Sequence, residues 1–522
     1  MNTSASNTPA PHSAPFRNIG VVGSGAMGRG IAQLFAQSGY DVHLYDSNPT
    51  ALAAALSGIG ETFTMLVDKG RLKAAEGEAA RARLHAVDGL PGLAGCDLIV
   101  EAIVERLDAK RELFTALEAL VADDAVLATN TSSLSVTSIA AACRRPQRVA
   151  GYHFFNPVPL MKVVEVVHGM RTAAGVVERL VALTRSTGHL PVVAQDTPGF
   201  IVNHAGRGYG TEALKALGEG AADVPTIDLI LREQVSFDGK GFRLGPFELL
   251  DLTGLDVSQP VMESIYRQFY DEPRFRPSVI AAQRLAAGLT GRKAGAGFYL
   301  HEDGRQEVPP QAPAPKVATL PPVWVAPGPR ADLVSAAVAA LGGTMQDTQR
   351  PGDEALVLVS PLGLDASATA ASAGLPAERV MAIDTLFPIA PGQCRRRVLM
   401  PTPATRADYR DAAHALFASD GAGVSVLRDS PGFIAQRVLA MIVSIGTEIA
   451  QRRIASPADI DTAVRIGLGY PLGPLAMGDA LGTSTVLTIL ANMHALTGDP
   501  RYRPGAWLRR RAQLGLSLLH ED

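Results

Sequence analysis

A chain of 522 residues is too long for one domain, and its length points to three or four. Its 47% hydrophobic and 19% charged content is that of an ordinary globular protein, and a formal net charge of −3 gives no support to a nucleic-acid or anionic-membrane partner. Cys96, Cys143 and Cys394 lie far apart with no CxxC spacing, which argues for a reducing compartment and against structural zinc, and no apolar run approaches the length that spans a bilayer.

Residues 1–16 are rich in Ser, Ala, Pro, Asn and Thr and lack a basic start and an apolar core. They are predicted to be a disordered tail, with the cytoplasm as the expected location. Ile19 to Val22 then reads as a short strand running into Gly23-Ser24-Gly25-Ala26-Met27-Gly28. A helical pattern follows from Arg29 to Gln37, and a second strand, Asp41 to Tyr45, ends at Asp46. A lone GxGxxG is weak; between a strand and a helix, with an acid 18 residues past the last glycine, it is a dinucleotide fingerprint. The glycines let the backbone approach a pyrophosphate, and the helix start offers free N–H groups. Asp46 would accept hydrogen bonds from the adenosine ribose and repel a 2′-phosphate, so NAD is favoured over NADP.

Asp97 to Ile103 reads as a strand, Asp108 to Leu120 as a helix and Ala125 to Ala128 as another strand, ending in Asn130-Thr131-Ser132-Ser133. This order predicts a doubly wound sheet, whose ligands sit beyond the carboxyl ends of the strands. Ser132 then lies where a substrate hydroxyl meets the nicotinamide. Ser132 or Ser133 is equally natural as the N-cap of a helix from Leu134 to Ala142. Glu105 and Lys110 are either surface-helix charges or contacts to the nicotinamide ribose.

Val149 to Phe155 and Val163 to Val167 read as buried strands, with His153 in one and Glu165 in the other. A buried histidine is more often a hydrogen-bonded core residue than a base. A His–Glu pair is nevertheless the usual way to hold an imidazole in one tautomer and stabilise its cation. Pro198 sits well as the first-turn proline of a helix, and Asn203 is then an ordinary helical polar residue or a site residue.

The blocks Gly23 to Gly28, Val100 to Glu105, Asn130 to Leu134, His153 to Pro157, Asp196 to Asn203 and Leu244 to Asp251 together resemble the L-3-hydroxyacyl-CoA dehydrogenases. The likeness runs in register over roughly residues 17 to 300. It implies a Rossmann-type domain followed by an all-α domain, NAD as cofactor and an acyl-CoA substrate. It also implies His153 as catalytic base, Glu165 as its orienting acid, and Ser132 and Asn203 as contacts to the substrate hydroxyl. Gly23, Gly25, Ala26, Met27, Gly28, Asp46, Glu105, Lys110 and Asn130 fall on the cofactor side. Asn156 and Lys69 fall on the substrate side, although a surface lysine is the simpler account of Lys69. The residue types suit the chemistry: oxidising a secondary alcohol needs a base for the hydroxyl proton and donors to the oxygen.

The pattern is helical from Phe200 to about Tyr266, and Gly291 to Tyr299 reads as a closing turn or a phosphate contact. Residues 303–330 hold eight prolines and form a predicted semi-rigid linker. An internal repeat follows. Asp429-Ser430-Pro431-Gly432-Phe433 repeats Asp196 to Phe200 at an offset of 233, and Leu472-Gly473-Pro474 repeats Leu244 to Pro246. Asp499 to Pro504 echoes Glu272 to Pro277, and Arg379 to Pro388 can be laid on Arg148 to Pro157. The expected layout is therefore a NAD-binding domain at 17–197, a helical domain at 198–302, a degenerate α/β unit at 331–428 and a second helical domain at 429–522. Asp384 takes the histidine position and Gln436 the asparagine position, so no chemistry is expected in the second copy. The layout, with no room for a hydratase domain, resembles the phenylacetate-pathway members that act on 3-hydroxyadipyl-CoA; general fatty 3-hydroxyacyl-CoA and 3-hydroxybutyryl-CoA stay open. Arg207 and His204 are candidate cations for a dicarboxylic chain. The assembly is expected to be a homodimer or a monomer with an internal pseudo-dimer of helical domains, with neither nucleic acid nor membrane as partner. A non-catalytic NAD-binding sensor is the rival from another class, and a dehydrogenase of free β-hydroxyacids lacks an evident lysine.

Overall fold

The structure is a computed structural model that describes residues 16–522. The predicted tail therefore lies outside the described residues except for Phe16, which is a core residue with the Arg179 guanidinium 4.3 Å above its ring. Two compact units are formed, one from residues 16–203 with Arg453–Gly467, the other from His204–Arg452 with Leu468–Asp522.

The first unit is built on eight strands: β1 (Asn18–Val22), β2 (Asp41–Tyr45), β3 (Leu84–Ala86), β4 (Leu98–Glu101), β5 (Val126–Thr129), β6 (Val149–Phe154), β7 (Val163–His168) and β8 (Leu190–Gln195). Their order is β3-β2-β1-β4-β5-β6-β7-β8, parallel throughout except for the antiparallel pair β6–β7. The first six follow the 3-2-1-4-5-6 order of a dinucleotide-binding sheet. The central strands are apolar on both faces because helices cover both sides. Helix Pro49–Asp68 departs from the sequence expectation: its 20 residues are long and apolar enough to cross a bilayer by composition alone. Its Leu52, Ala55, Ile59 and Phe63 recur at helical spacing and are buried in the core cluster of this unit.

The second unit carries most of both helical copies. A two-stranded hairpin, β9 (His301–Glu302) with β10 (Arg305–Gln306), precedes a five-stranded sheet ordered β11 (Val323–Val325), β12 (Leu356–Val359), β13 (Val380–Ile383), β14 (Arg396–Pro401) and β15 (Gly423–Val426). The expected linker, 303–330, is thus interrupted at both ends: Arg305–Gln306 pairs in the β9–β10 hairpin, and Val323-Trp324-Val325, just after Pro321 and Pro322, pairs in parallel with β12. The segment Gly291–Tyr299 is a structural turn. Phe298 N and Tyr299 N donate to Asp251 at 2.8 and 2.9 Å, and a Cβ on Gly297 would stand 2.1 Å from Asp251 Oδ1.

The repeat is visible in the backbone. Gly199 and Phe200 have φ of 76° and 48°, and Gly432 and Phe433 have 73° and 48°. The helical copies meet reciprocally: Arg274 Nη2 donates to Arg503 O at 3.0 Å, and its counterpart Arg501 Nη2 donates to Arg276 O at 3.3 Å. Glu212, fully buried between the copies, accepts from Arg437, Arg501 and Tyr502. Such a carboxylate is tolerable because both of its oxygens accept from buried donors, two of them cationic.

Candidate active site

The carboxyl ends of β1, β2, β4, β5 and β6 lie along one edge of the first unit. At β1 the chain turns through Gly23, φ 101°, where a Cβ would meet Ala102 O at 2.5 Å. Helix Ala26–Gln37 starts with Gly25 as an N-cap that makes no side-chain cap. A Cβ on Gly28 would stand 1.8 Å from Gly23 O, so this glycine is required by helix–strand contact. A Cβ on Gly25 would meet nothing within 4 Å, so internal packing does not explain that glycine. The open approach at Gly25 and the unspent first N–H groups over Ala26, Met27 and Gly28 fit a pyrophosphate. Asp46 closes β2 and accepts from Ser24 N and Ser24 Oγ, both at 2.7 Å, and from Asn48 N at 2.9 Å. Partial burial opposes its charge, but these hydrogen bonds win and hold the carboxyl below its ordinary value. A carboxylate offers about four acceptor sites, so Asp46 retains capacity for a ribose hydroxyl. The residues present fit an NAD molecule.

The next strand ends are tied together by acids. Glu101, fully buried, accepts from Lys110 Nζ at 2.6 Å and Thr129 Oγ1 at 2.7 Å. Lys110 is itself only 1% exposed and also pairs with Glu105 at 3.2 Å. It is therefore no surface charge; it compensates two acids under the strand ends. Glu105 Oε1 gathers Thr131 Oγ1 at 2.6 Å and the Ser132 and Ser133 amides at 3.0 and 3.1 Å. Burial pushes its carboxyl up, but Lys110 and these donors outweigh that and hold it below the usual range. Glu105 thus shapes the turn that presents Ser132. Neither serine caps the following helix, which is shorter than expected at Val136–Ala140: Ser135 is its N-cap, supported by Asp196 on the Val136 and Thr137 amides at 2.9 and 2.7 Å. Asp196 escaped the sequence reading as a site support; its repeat partner Asp429 does the same for Ala366 N at 2.8 Å, and that equivalence was the available signal.

On the far side, β6 and β7 run antiparallel in a register that sets His153 opposite Glu165. His153 Nδ1 lies 2.6 Å from Glu165 Oε2, with the histidine 5% exposed and the glutamate fully buried. Glu165 Oε1 accepts from Ile201 N and Val202 N, both at 2.9 Å. Oε2 is thereby spent on the imidazole and Oε1 on two backbone amides, and the pair is fixed from behind. The His153 ring packs against Phe155 and Phe200 at centroid distances of 4.5 and 5.8 Å. The left-handed turn at Gly199 and Phe200 aims the two amides, and only then does helix Val202–Ala205 begin. Pro198 is consequently a turn residue, not the first-turn proline expected. Asn203 Nδ2 reaches Ser132 O at 3.4 Å, so the asparagine and the serine turn are brought together. Asn130 is used structurally, its Oδ1 accepting from Phe154 N at 2.8 Å. Asn156 and Lys69 are both exposed, away from these hydrogen bonds. In the second unit His204 is wedged between Phe269 and Phe275 at 4.8 and 5.1 Å and is fully buried, while Arg207 is half-buried.

Comparisons with known proteins bear on this arrangement. Residues 18–197 match the model of the 3-hydroxyacyl-CoA dehydrogenase NAD-binding domain. The model of the 3-hydroxyacyl-CoA dehydrogenase C-terminal domain matches twice, at 199–301 and 432–517. The chain is 39% identical over 505 residues to 3-hydroxyadipyl-CoA dehydrogenase of Escherichia coli (strain K12), covering 95% of this chain and 98% of that one. It is 38% identical over 312 residues to the human mitochondrial hydroxyacyl-coenzyme A dehydrogenase, which spans 58% of this chain and is itself covered to 98%. A crystal structure of 3-hydroxybutyryl-CoA dehydrogenase from Escherichia coli K12 superposes with a TM-score of 0.81 at 36% identity, covering 96% of this chain and 98% of that one.

Proposed function

The chain belongs to the 3-hydroxyacyl-CoA dehydrogenase family and is an NAD-dependent oxidoreductase acting on the CH–OH group of 3-hydroxyacyl-CoA; within that activity we propose His153 as the general base and 3-hydroxyadipyl-CoA as the substrate. The observation that carries the site assignment is the buried His153–Glu165 pair, with one imidazole nitrogen spent on the acid and the acid itself locked by two amides.

Nδ1–H donates to Glu165, so Nε2 is the nitrogen that takes the substrate hydroxyl proton. Glu165 stabilises the imidazolium that results, much as the acid of a hydrolase triad does. Ser132 Oγ and Asn203 Nδ2 donate to the substrate oxygen as it changes from alcohol to carbonyl, which assists both directions. Asp46, the Gly25 turn and the helix start bind and orient the dinucleotide, and Glu105 holds the Ser132 turn. When bound, the nicotinamide supplies the hydride acceptor.

The substrate reading rests on layout. The Escherichia coli relative named for 3-hydroxyadipyl-CoA matches this chain through both copies, whereas the human single-copy relative spans only 58% of it. A second reading, 3-hydroxybutyryl-CoA, is favoured by the name of the solved structure that matches over 96% of the chain. A panel of 3-oxoacyl-CoA esters followed by NADH absorbance separates them: adipyl specificity predicts kcat/KM at least tenfold higher for 3-oxoadipyl-CoA than for acetoacetyl-CoA. In the same assay His153→Ala loses turnover while NAD binding persists; unchanged turnover refutes the base assignment, and NAD binding without turnover in the parent protein would favour a sensor. The reciprocal arginines between the helical copies support a monomer whose two copies form an internal pseudo-dimer. Sedimentation at the mass of one chain is the expected result. A reducing cytoplasm suits the free cysteines, with burial raising the Cys96 thiol to about 12 and Cys143 to about 11.

A further inference from the structure

At the offset of 233 residues, helix Val224–Glu233 of the first copy corresponds to helix Pro457–Gly467 of the second, and Gln234 corresponds to Gly467. Each helix docks on the α/β unit of the other copy. In the second unit, Gln234 Nε2 donates to Asp384 Oδ2 at 2.9 Å, while Gln436 Nε2 donates to Asp384 Oδ1 at 2.9 Å. The place equivalent to His153 is therefore closed by amides, the first copy providing one of them.

In the first unit the same exchange runs the other way. The segment Arg453–Gly467 lies along β7 and β8: Gln195 N donates to Ile454 O at 2.8 Å and Val193 N to Asp459 Oδ2 at 3.3 Å. The helix ends at Gly467, whose missing side chain faces the catalytic layer. A Cβ there would stand 3.0 and 3.1 Å from the two methyls of Val202 and 3.5 Å from Val163 Cγ1. Val202 is the residue whose amide donates to Glu165, it precedes Asn203, and Val163 begins the strand that carries Glu165. The first two separations are tighter than ordinary van der Waals contact, so any side chain at 467 presses on the peptide that locks the acid.

We propose that helix Pro457–Gly467, supplied by the otherwise degenerate second copy, is a positioning element of the active site and that Gly467 is the residue through which it acts. The helix backs the Ile201–Asn203 turn, and the absence of a side chain at 467 lets that turn sit where two amides reach Glu165 Oε1. This gives the second copy a part in the first copy's chemistry. The inference rests on the reading of His153–Glu165 as the base pair.

The test uses the full-length chain with Gly467→Ala, Val202→Ala and the double variant. Expected for Gly467→Ala is a fall in kcat of about tenfold, with NAD affinity and acyl-CoA KM within twofold and the imidazole limb of the kcat–pH profile displaced. The double variant, with room made for the new methyl, recovers most of the difference from Val202→Ala alone. Should Gly467→Ala fail to fold, Val202→Ile presses on the same contact from the other side and carries the same expected signature. Wild-type kcat and pH profile in Gly467→Ala, or a double variant whose loss is the product of the two single losses, overturns the proposal. Retained turnover in His153→Ala instead removes the base-pair reading itself, so the two failures are distinguishable.

Discussion

Replacing Glu165 by glutamine tests the site with almost no change of shape. Ile201 N and Val202 N both donate to Oε1, and both are buried donors that lose about 1–3 kcal/mol each if left unpaired. The glutamine carbonyl must therefore face those amides, which turns its NH2 toward His153 Nδ1, 2.6 Å away in the parent protein. An NH2 donor there forces Nδ1 to accept, moving the imidazole proton to Nε2, where it blocks uptake of the hydroxyl proton. The charged partner of the imidazolium is lost at the same time. Loss of one member of a buried ion pair costs about 3–5 kcal/mol, corresponding to roughly a 100- to 5,000-fold fall in kcat. Steady-state oxidation of NADH with a 3-oxoacyl-CoA gives kcat, and fluorescence titration gives NAD affinity, which is expected to stay within twofold. Because the amides remain satisfied, Glu165→Gln is expected to be more stable than Glu165→Ala. A kcat within threefold of the parent, or a loss confined to KM, would refute the tautomer argument.

Asp46→Ala removes a carboxylate held below its ordinary value and is expected to weaken NAD binding by on the order of 10- to 100-fold, as lost hydrogen bonds to a charged group would; an unchanged titration contradicts the ribose assignment. Lys110→Met strands Glu101 in the core and leaves Glu105 without its cation, with an expected loss of about 3–5 kcal/mol in urea unfolding; equal midpoints would show the pair to be dispensable. Asp228 is buried and its carboxyl is raised to about 7, chiefly by burial. The native state therefore binds this proton more tightly than the unfolded chain, so its stabilising contribution is present below pH 3.8 and is lost as pH rises through about 7. The unfolding free energy is expected to fall across that window, by up to roughly 4 kcal/mol, and Asp228→Asn is expected to flatten the slope; a slope unaltered in the variant assigns the effect elsewhere.

Much of the site was legible in the amino-acid order because its parts are local. The turn from Gly23 to Gly28 and the acid at Asp46 belong to one βαβ segment, where strand, tight turn and helix follow directly from spacing. His153 and Glu165, twelve residues apart, are recognisable as candidates, and two short apolar strands joined by a short connection leave few ways to pair. The repeated Asp196 and Asp429 blocks likewise showed themselves, since identical turn chemistry produced the same left-handed Gly-Phe backbone twice. What local pattern does not encode is which long-range partner a side chain meets. Lys110 reads from sequence as either a surface-helix charge or a nicotinamide-ribose contact, and only the folded sheet places Glu101 and Glu105 around it. Whether Ser132 or Ser133 caps the next helix or Ser132 faces substrate is open in the sequence; the cap reading fails because Glu105, 27 and 28 residues earlier, takes up their amides while Ser135 and Asp196 hold the helix start. Val323 to Val325 read as linker because a three-residue strand becomes one only when β12 lies beside it. The side chain-free end of helix Pro457–Gly467 against Val202 is the extreme case: its contact spans 265 residues, and close packing at that separation is decided only by the folded arrangement of the two copies.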